Sequence, residues 1–386
     1  MSRVTGEAHM RMSSLQLKRL IESEVKGAME SKRRTKRRPM REASFRPSLV
    51  SLIFEELSDA ETENLISKNI TQPLSSTADK TTVEKIVQFL NSSEGQDQKV
   101  RDKLASGAND GNPSDEVMEV GVETLPVLKL KPSQSQIGLP NSIGFAFTSK
   151  GKKVGALEAA LKGNVNSTEI VACGDGIDNN FIIDGHHRWS SAIAVNPAAN
   201  ITVSFIKGDD AFKVLSICQL AIATYKPGKL PSNTSEPDTN LLTMSADAIA
   251  QYAKDNVGKV VDEKAGSPLL TDDILDFLAG QGYGGASATD DRDTKLDKIC
   301  TKIGENCKKV PTPGDAPDRV HMPQFDPKSG GPTLDQVKDK FTGGQLNFKD
   351  PVGSSGGGKQ QVTAESWDRQ GAVVVERWQR LAGLIK

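Results

Sequence analysis

The chain has 386 residues, of which 36% are hydrophobic and 5% aromatic, with four cysteines and a net charge of −1. These values are typical of a globular protein with a mainly aliphatic core. No cysteine pair has CxxC spacing and no apolar run approaches the roughly 20 residues of a membrane span, so we expect neither a zinc site nor membrane contact, and a cytoplasmic location.

The N-terminal arm, residues 1–46, is strongly basic. It carries 13 Lys and Arg against 5 Asp and Glu, whereas the remainder carries 36 against 45. Residues 13–30 predict a short amphipathic helix. A basic cluster follows it, and we interpret the cluster as a candidate contact to nucleic-acid phosphates, with a solvated linker and a docking peptide as alternatives. The cluster consists of Lys32, Arg33, Arg34, Lys36, Arg37 and Arg38.

Residues 47–116 predict helices followed by a linker. The stretch "SLVSLIFEELSDAETENLIS" is rich in leucine and isoleucine, and "TTVEKIVQFL" places its apolar residues on one helical face. The polar stretch after it contains few apolar side chains. We therefore expect residues 91–115 to be a poorly ordered linker, and we expect the same of residues 350–362.

The pattern changes at residue 117, and residues 117–226 predict a mixed α+β domain. The stretch "EVMEVGVETLPVLKL" alternates like a strand. Two further β runs, 169–173 and 181–184, flank a Gly/Asp/Asn turn that is typical of a hairpin. "NITVSFIKG" predicts another strand and "DAFKVLSICQLAIATY" an apolar helix.

The rest of the chain predicts shorter elements. Residues 227–362 indicate a polar region with short helices and Gly-rich loops, and residues 363–386 an amphipathic helix. Residues 353–359 have the spacing of a phosphate-binding loop, but no strand precedes them and Gln360 stands where that motif needs Ser or Thr. We expect the terminal helices to pack on the body of the protein, on a protein partner or on a second copy.

The stretch "FIIDGHHRW" concentrates the polar chemistry of the chain. It predicts a strand, a tight turn at Gly185 and a helix whose first N–H groups suit a phosphate. Arg188 offers a planar fork, and His186 and His187 can exchange protons near neutral pH. Asp184 could hold Mg²⁺ or fix a histidine tautomer. The structural alternative is that the imidazoles satisfy buried backbone groups.

This stretch, continued as "IIDGHHRWSSA", resembles the signature of the ParB/sulfiredoxin superfamily, and "VETLPVLKLKPSQSQI" resembles the family's opening strand and its KPxQ-like loop. The resemblance covers roughly residues 117–210. It implies a small mixed-sheet ParB/sulfiredoxin-like domain with helical and partly disordered flanks. It also implies a nucleotide cofactor, CTP or ATP with Mg²⁺.

From their chemistry, we take Asp184 and His187 as the candidate catalytic residues and Asp184 as the candidate metal ligand. The resemblance adds phosphate-binding roles by position. The implied phosphate-binding residues are Gly185, His186, His187, Arg188 and Gln134.

Members of the family act as CTP-dependent DNA clamps, sulfinic acid reductases, serine kinases and ParB-like nucleases. This chain departs from several of them. His186 replaces the reductase cysteine, residues 133–136 lack the kinase glutamate, and no helix-turn-helix follows Tyr225.

The resemblance therefore implies a nucleotide-phosphate-binding protein that acts on or near nucleic acid, by NTP hydrolysis or DNA cleavage. Two alternatives stay open. One is a non-catalytic structural or virion protein, in the host cytoplasm or the particle of a phage that encodes it. The other is a small-molecule hydroxyl kinase.

Overall fold

The computed structural model describes residues 57–76, 78–107, 117–149, 156–225, 230, 239–262, 266–325 and 330–349. Several sequence predictions lie outside these residues. They concern the basic arm with its cluster at 32–38, the segment 350–362 and the helix expected over 363–386.

The described part begins with a helical layer. Its elements are α1 (Asp59–Ile66), a π-helical turn (Ser67–Thr71), α2 (Gln72–Ser75), α3 (Lys80–Asn91) and α4 (Gln98–Ser106). Helix α4 corrects the linker prediction for residues 91–107. Asp97 caps it by accepting the Lys99 N–H, and the buried Val100 and Leu104, four residues apart, lie on one face.

A five-stranded mixed sheet forms the centre, which confirms the α+β fold class. Its strands are β1 (Val120–Pro126), β2 (Leu130–Pro132), β3 (Asn164–Gly174), β4 (Asn180–Asp184) and β5 (Asn200–Lys207). Their order is β1-β5-β3-β4-β2. The pairs β1–β5 and β3–β4 are antiparallel, so the predicted hairpin is confirmed, whereas β5–β3 and β4–β2 are parallel.

Helices after β2 complete the structure. They are α5 (Leu139–Ala146), α6 (Ala156–Leu161), α7 (His186–Val195), α8 (Ala211–Tyr225), α9 (Ala246–Asp255), α10 (Asp272–Gly280), α11 (Arg292–Cys307) and α12 (Leu334–Thr342), with 3₁₀ turns at Tyr283–Gly285 and Arg319–His321. No helix in the described part of the chain is long and apolar enough to cross a membrane.

The sheet is covered by a hydrophobic core on each face. Because side chains alternate along a strand, Ala172 belongs to one core, while Val171 and Cys173 belong to the other. Helices α5, α6, α7, α9, α10 and α11 close the first core, and α1–α4, α8 and α12 close the second. Residues 117–226 thus supply the whole sheet, and helices from both flanks bury its two faces.

Candidate functional site

The predicted strand, turn and helix are confirmed. Strand β4 ends at Asp184, Gly185 has a φ of 94°, and α7 begins at His186. A Cβ atom on residue 185 would lie 2.9 Å from Cγ1 of Ile170, so both the backbone conformation and the close packing require glycine. The N-cap of α7 is Gly185, which has no side chain to cap the first turn.

The loop after β2 lies beside this helix start. Strands β2 and β4 run parallel, with Pro132 next to Ile182, so both end at the same edge of the sheet. The N–H of Ser133 donates to Nε2 of His186 at 3.3 Å, and the Ser133 hydroxyl donates to the Ile182 carbonyl at 2.5 Å. We call this place the β2–β4 edge. The carboxyl ends of parallel strands are the usual position of ligand sites in α/β sheets.

His186 is a buried polar residue of the β2–β4 edge, with 5% of its surface exposed. Burial lowers the pKa of its imidazole well below the ordinary value of 6.5, and the nearby His187 and Arg319 lower it further. Since Nε2 accepts a hydrogen bond, the neutral ring carries its proton on Nδ1. His186 is therefore a neutral hydrogen-bond acceptor at pH 7. It satisfies a backbone N–H group, as the structural alternative for this stretch expects.

Arg188 pairs with Glu169. Its Nη2 lies 3.1 Å from Oε2 of Glu169 on β3, and Nη1 donates to the Glu169 carbonyl at 3.4 Å. The side chain also lines a small cleft of about 20 Å³ with Phe145 and Val165. Its volume is far below that of typical ligand sites, which is about 300–1,000 Å³. The structure therefore pairs the guanidinium of Arg188 with a carboxylate over β3.

The other predicted site residues are also held by neighbouring groups. Oδ1 of Asp184 accepts the Gly185 N–H at 2.7 Å. Gln134 is buried, and its Nε2 donates to the carbonyl of Gln136 at 2.6 Å, within its own loop. His187 is half-buried beside His186. Among the described residues, no group of three or more His, Cys, Asp or Glu could hold a metal ion.

A segment that the sequence did not reveal, residues 316–325, crosses the β2–β4 edge, and we call it the strap. The Ser135 N–H donates to the Pro317 carbonyl at 2.9 Å, and the Ser135 hydroxyl donates to Oδ1 of Asp318 at 2.7 Å. At the other end of the strap, the N–H of Phe325 donates to Oδ2 of Asp184 at 3.4 Å. The strap thus contacts both the β2 loop and the end of β4.

The strap brings Arg319 to the start of α7. Arg319 lies close enough to His186 to lower the pKa of that imidazole, and burial lowers the pKa of the guanidinium itself. The next part of the strap is fixed by Gln219, whose Nε2 donates to the His321 carbonyl at 2.5 Å. The charge of Arg319 thus acts on His186, whereas Arg188 pairs with Glu169.

No family model matches the chain, and no curated protein or solved structure does either. The resemblance to the ParB/sulfiredoxin superfamily stays a prediction. The geometry of the β2–β4 edge is what supports a functional proposal.

Proposed function

We propose that this protein binds a phosphate-bearing ligand, specifically a nucleotide, at the β2–β4 edge. One observation carries the proposal. Helix α7 starts without a side-chain cap directly after a left-handed glycine, at the ends of two parallel strands. Backbone N–H groups at such a helix start attract a phosphate through their dipoles. Arg319 supports it, because its charge acts on His186 at the helix start and a guanidinium can donate two parallel hydrogen bonds to a phosphate.

In this proposal the ligand enters between the strap and α7. Its phosphate would accept from the N–H groups of His186 to Arg188 and from Arg319. An accompanying Mg²⁺ would use Asp184, which would then give up its bond from Phe325. His187 would be the group that exchanges protons. The basic cluster at 32–38 would contact the phosphates of a nucleic-acid partner.

A second candidate function is a non-catalytic structural protein that retains the fold. The strap favours it, since it already occupies the polar groups of the edge: Asp318 accepts from Ser135, and Asp184 accepts from Phe325. The kinase alternative would need a carboxylate near the β2 loop, and Asp318 is the carboxylate found there.

A thermal-shift panel separates the two main candidates. CTP, ATP, ADP and GTP would each be added with Mg²⁺ to the full chain at up to millimolar concentration. A ligand at 100 times its Kd stabilises the native state by about 2.7 kcal/mol. We expect at least one nucleotide to raise the melting temperature. If none does, the structural candidate replaces this proposal.

A further inference from the structure

We propose that a cleft in the N-terminal helical layer binds an acidic peptide segment. The cleft lies between the π-helical turn with α2 on one side and α3 with the following loop on the other. It has a volume of about 300 Å³, which is at the lower end of the size range of ligand sites. It is separate from the residues of the β2–β4 edge.

Two lysines without partners line this cleft. Lys68 comes from the π-helical turn and Lys85 from α3, and neither forms a hydrogen bond or an ion pair with the described residues. π-Helical turns inside α-helices are frequent at functional sites. This turn places the Lys68 side chain on the wall that faces α3.

The remaining lysines of the same layer are all engaged. Lys80 lies 4.0 Å from Glu84, Lys103 lies 3.6 Å from Glu63, and Lys99 donates to the Leu57 carbonyl at 2.7 Å. The two free ammonium groups are thus concentrated around one cavity. Such a concentration indicates a partner with negative charges at matching positions.

The other lining residues favour a peptide over a nucleic acid. Gln88 has both an amide donor and an acceptor, and it forms no hydrogen bond with the described residues, so it can pair with a peptide backbone. Pro73 and Phe89 add apolar surface for one side chain of the partner. Glu94 also lines the cleft, so the charged lining residues, Lys68, Lys85 and Glu94, carry a net charge of +1, which suits a partner with few negative charges better than a dense row of phosphates.

The small number of lysines in the cleft also favours a peptide over a nucleic acid. Nucleic-acid binding rests on an extended basic surface that neutralises several phosphates. Two lysines opposed by Glu94 suit a partner with two carboxylates instead. Hydrogen bonds from Thr82 lower the pKa of the carboxyl group of Asp79, the N-cap of α3, and the charge of Lys85 adds a smaller effect without an ion pair.

The test uses the full chain and a fluorescein-labelled peptide that contains the sequence Glu-Leu-Glu, with one glutamate on each side of a leucine. Fluorescence anisotropy at low salt would measure its affinity. We expect Lys68→Ala and Lys85→Ala each to weaken binding about 3- to 5-fold, as for exposed ion pairs, and the double variant about 10-fold or more. Lys80→Ala is the matched control, because Lys80 is on the same helix but already paired.

Circular dichroism and the melting temperature would show that each variant is folded. Four results would overturn the proposal. The first is that the chain does not bind the peptide at millimolar concentration, and the second is that Lys80→Ala weakens binding as much as the cleft variants do. The third is that a peptide with glutamines in place of glutamates binds equally well. The fourth is that the double variant loses more affinity for a ten-nucleotide single-stranded DNA than for the peptide. The basic arm is common to all variants, so its own charge cancels in the comparison.

Discussion

The two ends of helix α7 are completed in different ways. At its C-terminal end, the carbonyl of Ala194 accepts the Tyr283 hydroxyl at 2.8 Å and Nδ2 of Asn306 at 3.1 Å, and the carbonyl of Val195 accepts Nδ2 of Asn306 at 3.1 Å. At the N-terminal end, the N-cap is Gly185, which has no side chain to cap the first turn. Side chains of distant elements thus donate to the carbonyls at one end, whereas the other end begins at a glycine.

This difference assigns the C-terminal end of α7 to the stability of the fold and its N-terminal end to ligand binding. Unsatisfied carbonyls in a core would be costly, so buried Tyr283 and Asn306 serve the fold. The start of α7 faces the strap, which is held through a few hydrogen bonds to Ser135, Asp184 and Gln219. Substitutions at the C-terminal end should therefore change stability alone, and those at the N-terminal end should also change ligand affinity.

The largest effect is expected for Gly185→Ala. A left-handed conformation costs a non-glycine residue about 1–2 kcal/mol, and the contact with Ile170 adds about 1–3 kcal/mol of overpacking. Urea denaturation would measure the loss. Gly176→Ala is the control, since Gly176 has a φ of 78° and nothing within 4 Å of the added Cβ. Equal losses in the two variants would show that the contact with Ile170 is unimportant.

Asn306→Ala should come next. It removes the amide donor of the Ala194 and Val195 carbonyls in a buried site, which costs about 1–3 kcal/mol. Urea denaturation should show this loss, while nucleotide affinity, measured by titration calorimetry, should stay unchanged. A fall in affinity comparable to that of an N-terminal variant would break the separation between the two ends.

Arg319→Ala should weaken nucleotide binding by about 10- to 100-fold, because it removes a charge-assisted fork from the ligand. Arg188→Ala is the matched variant, since that guanidinium pairs with Glu169 at the surface. We expect Arg188→Ala to change affinity by no more than about 2-fold, the scale of an exposed ion pair. A larger loss of affinity in Arg188→Ala than in Arg319→Ala would show that Arg188 is the phosphate-binding arginine.

The smallest effect is a pH dependence from His186. Its folded pKa is lowered, so between that value and 6.5 the unfolded chain binds more protons than the native state. Stability should therefore fall as the pH drops below about 6.5, by at most about 1.4 kcal/mol per pH unit. In His186→Gln, which keeps an acceptor for Ser133, urea denaturation between pH 7 and pH 5 should show a flatter slope. An unchanged slope would contradict a buried neutral imidazole.

The sequence predicted the site as far as local patterns reach. The apolar run before Asp184, the glycine and the polar cluster are contiguous, so they indicated a strand, a turn and a helix without tertiary information. The pairing of Arg188 with Glu169 was not predicted, because the two residues are 19 positions apart on different elements. Side-chain direction at a helix start depends on such neighbours.

The strap was hidden for a related reason. Its sequence, "APDRVHMPQF", has no periodicity, and Asp318 meets Ser135 across 183 positions. Helix α4 was missed because only Val100 and Leu104 mark its buried stripe in a polar stretch. The position of the strap and the packing of α4 both depend on contacts between residues that are far apart in the sequence.

Hydrogen exchange with mass spectrometry tests the central claim most directly. The full chain would be compared with and without the nucleotide that gives the largest thermal shift, or with ATP and Mg²⁺ if none does. We expect slower exchange in peptides that cover residues 183–190 and 316–325, and no change in those covering 303–310 at the other end of α7. Unchanged exchange in residues 183–190 at saturating nucleotide, or protection confined to other parts of the chain, would contradict a phosphate site at the start of α7.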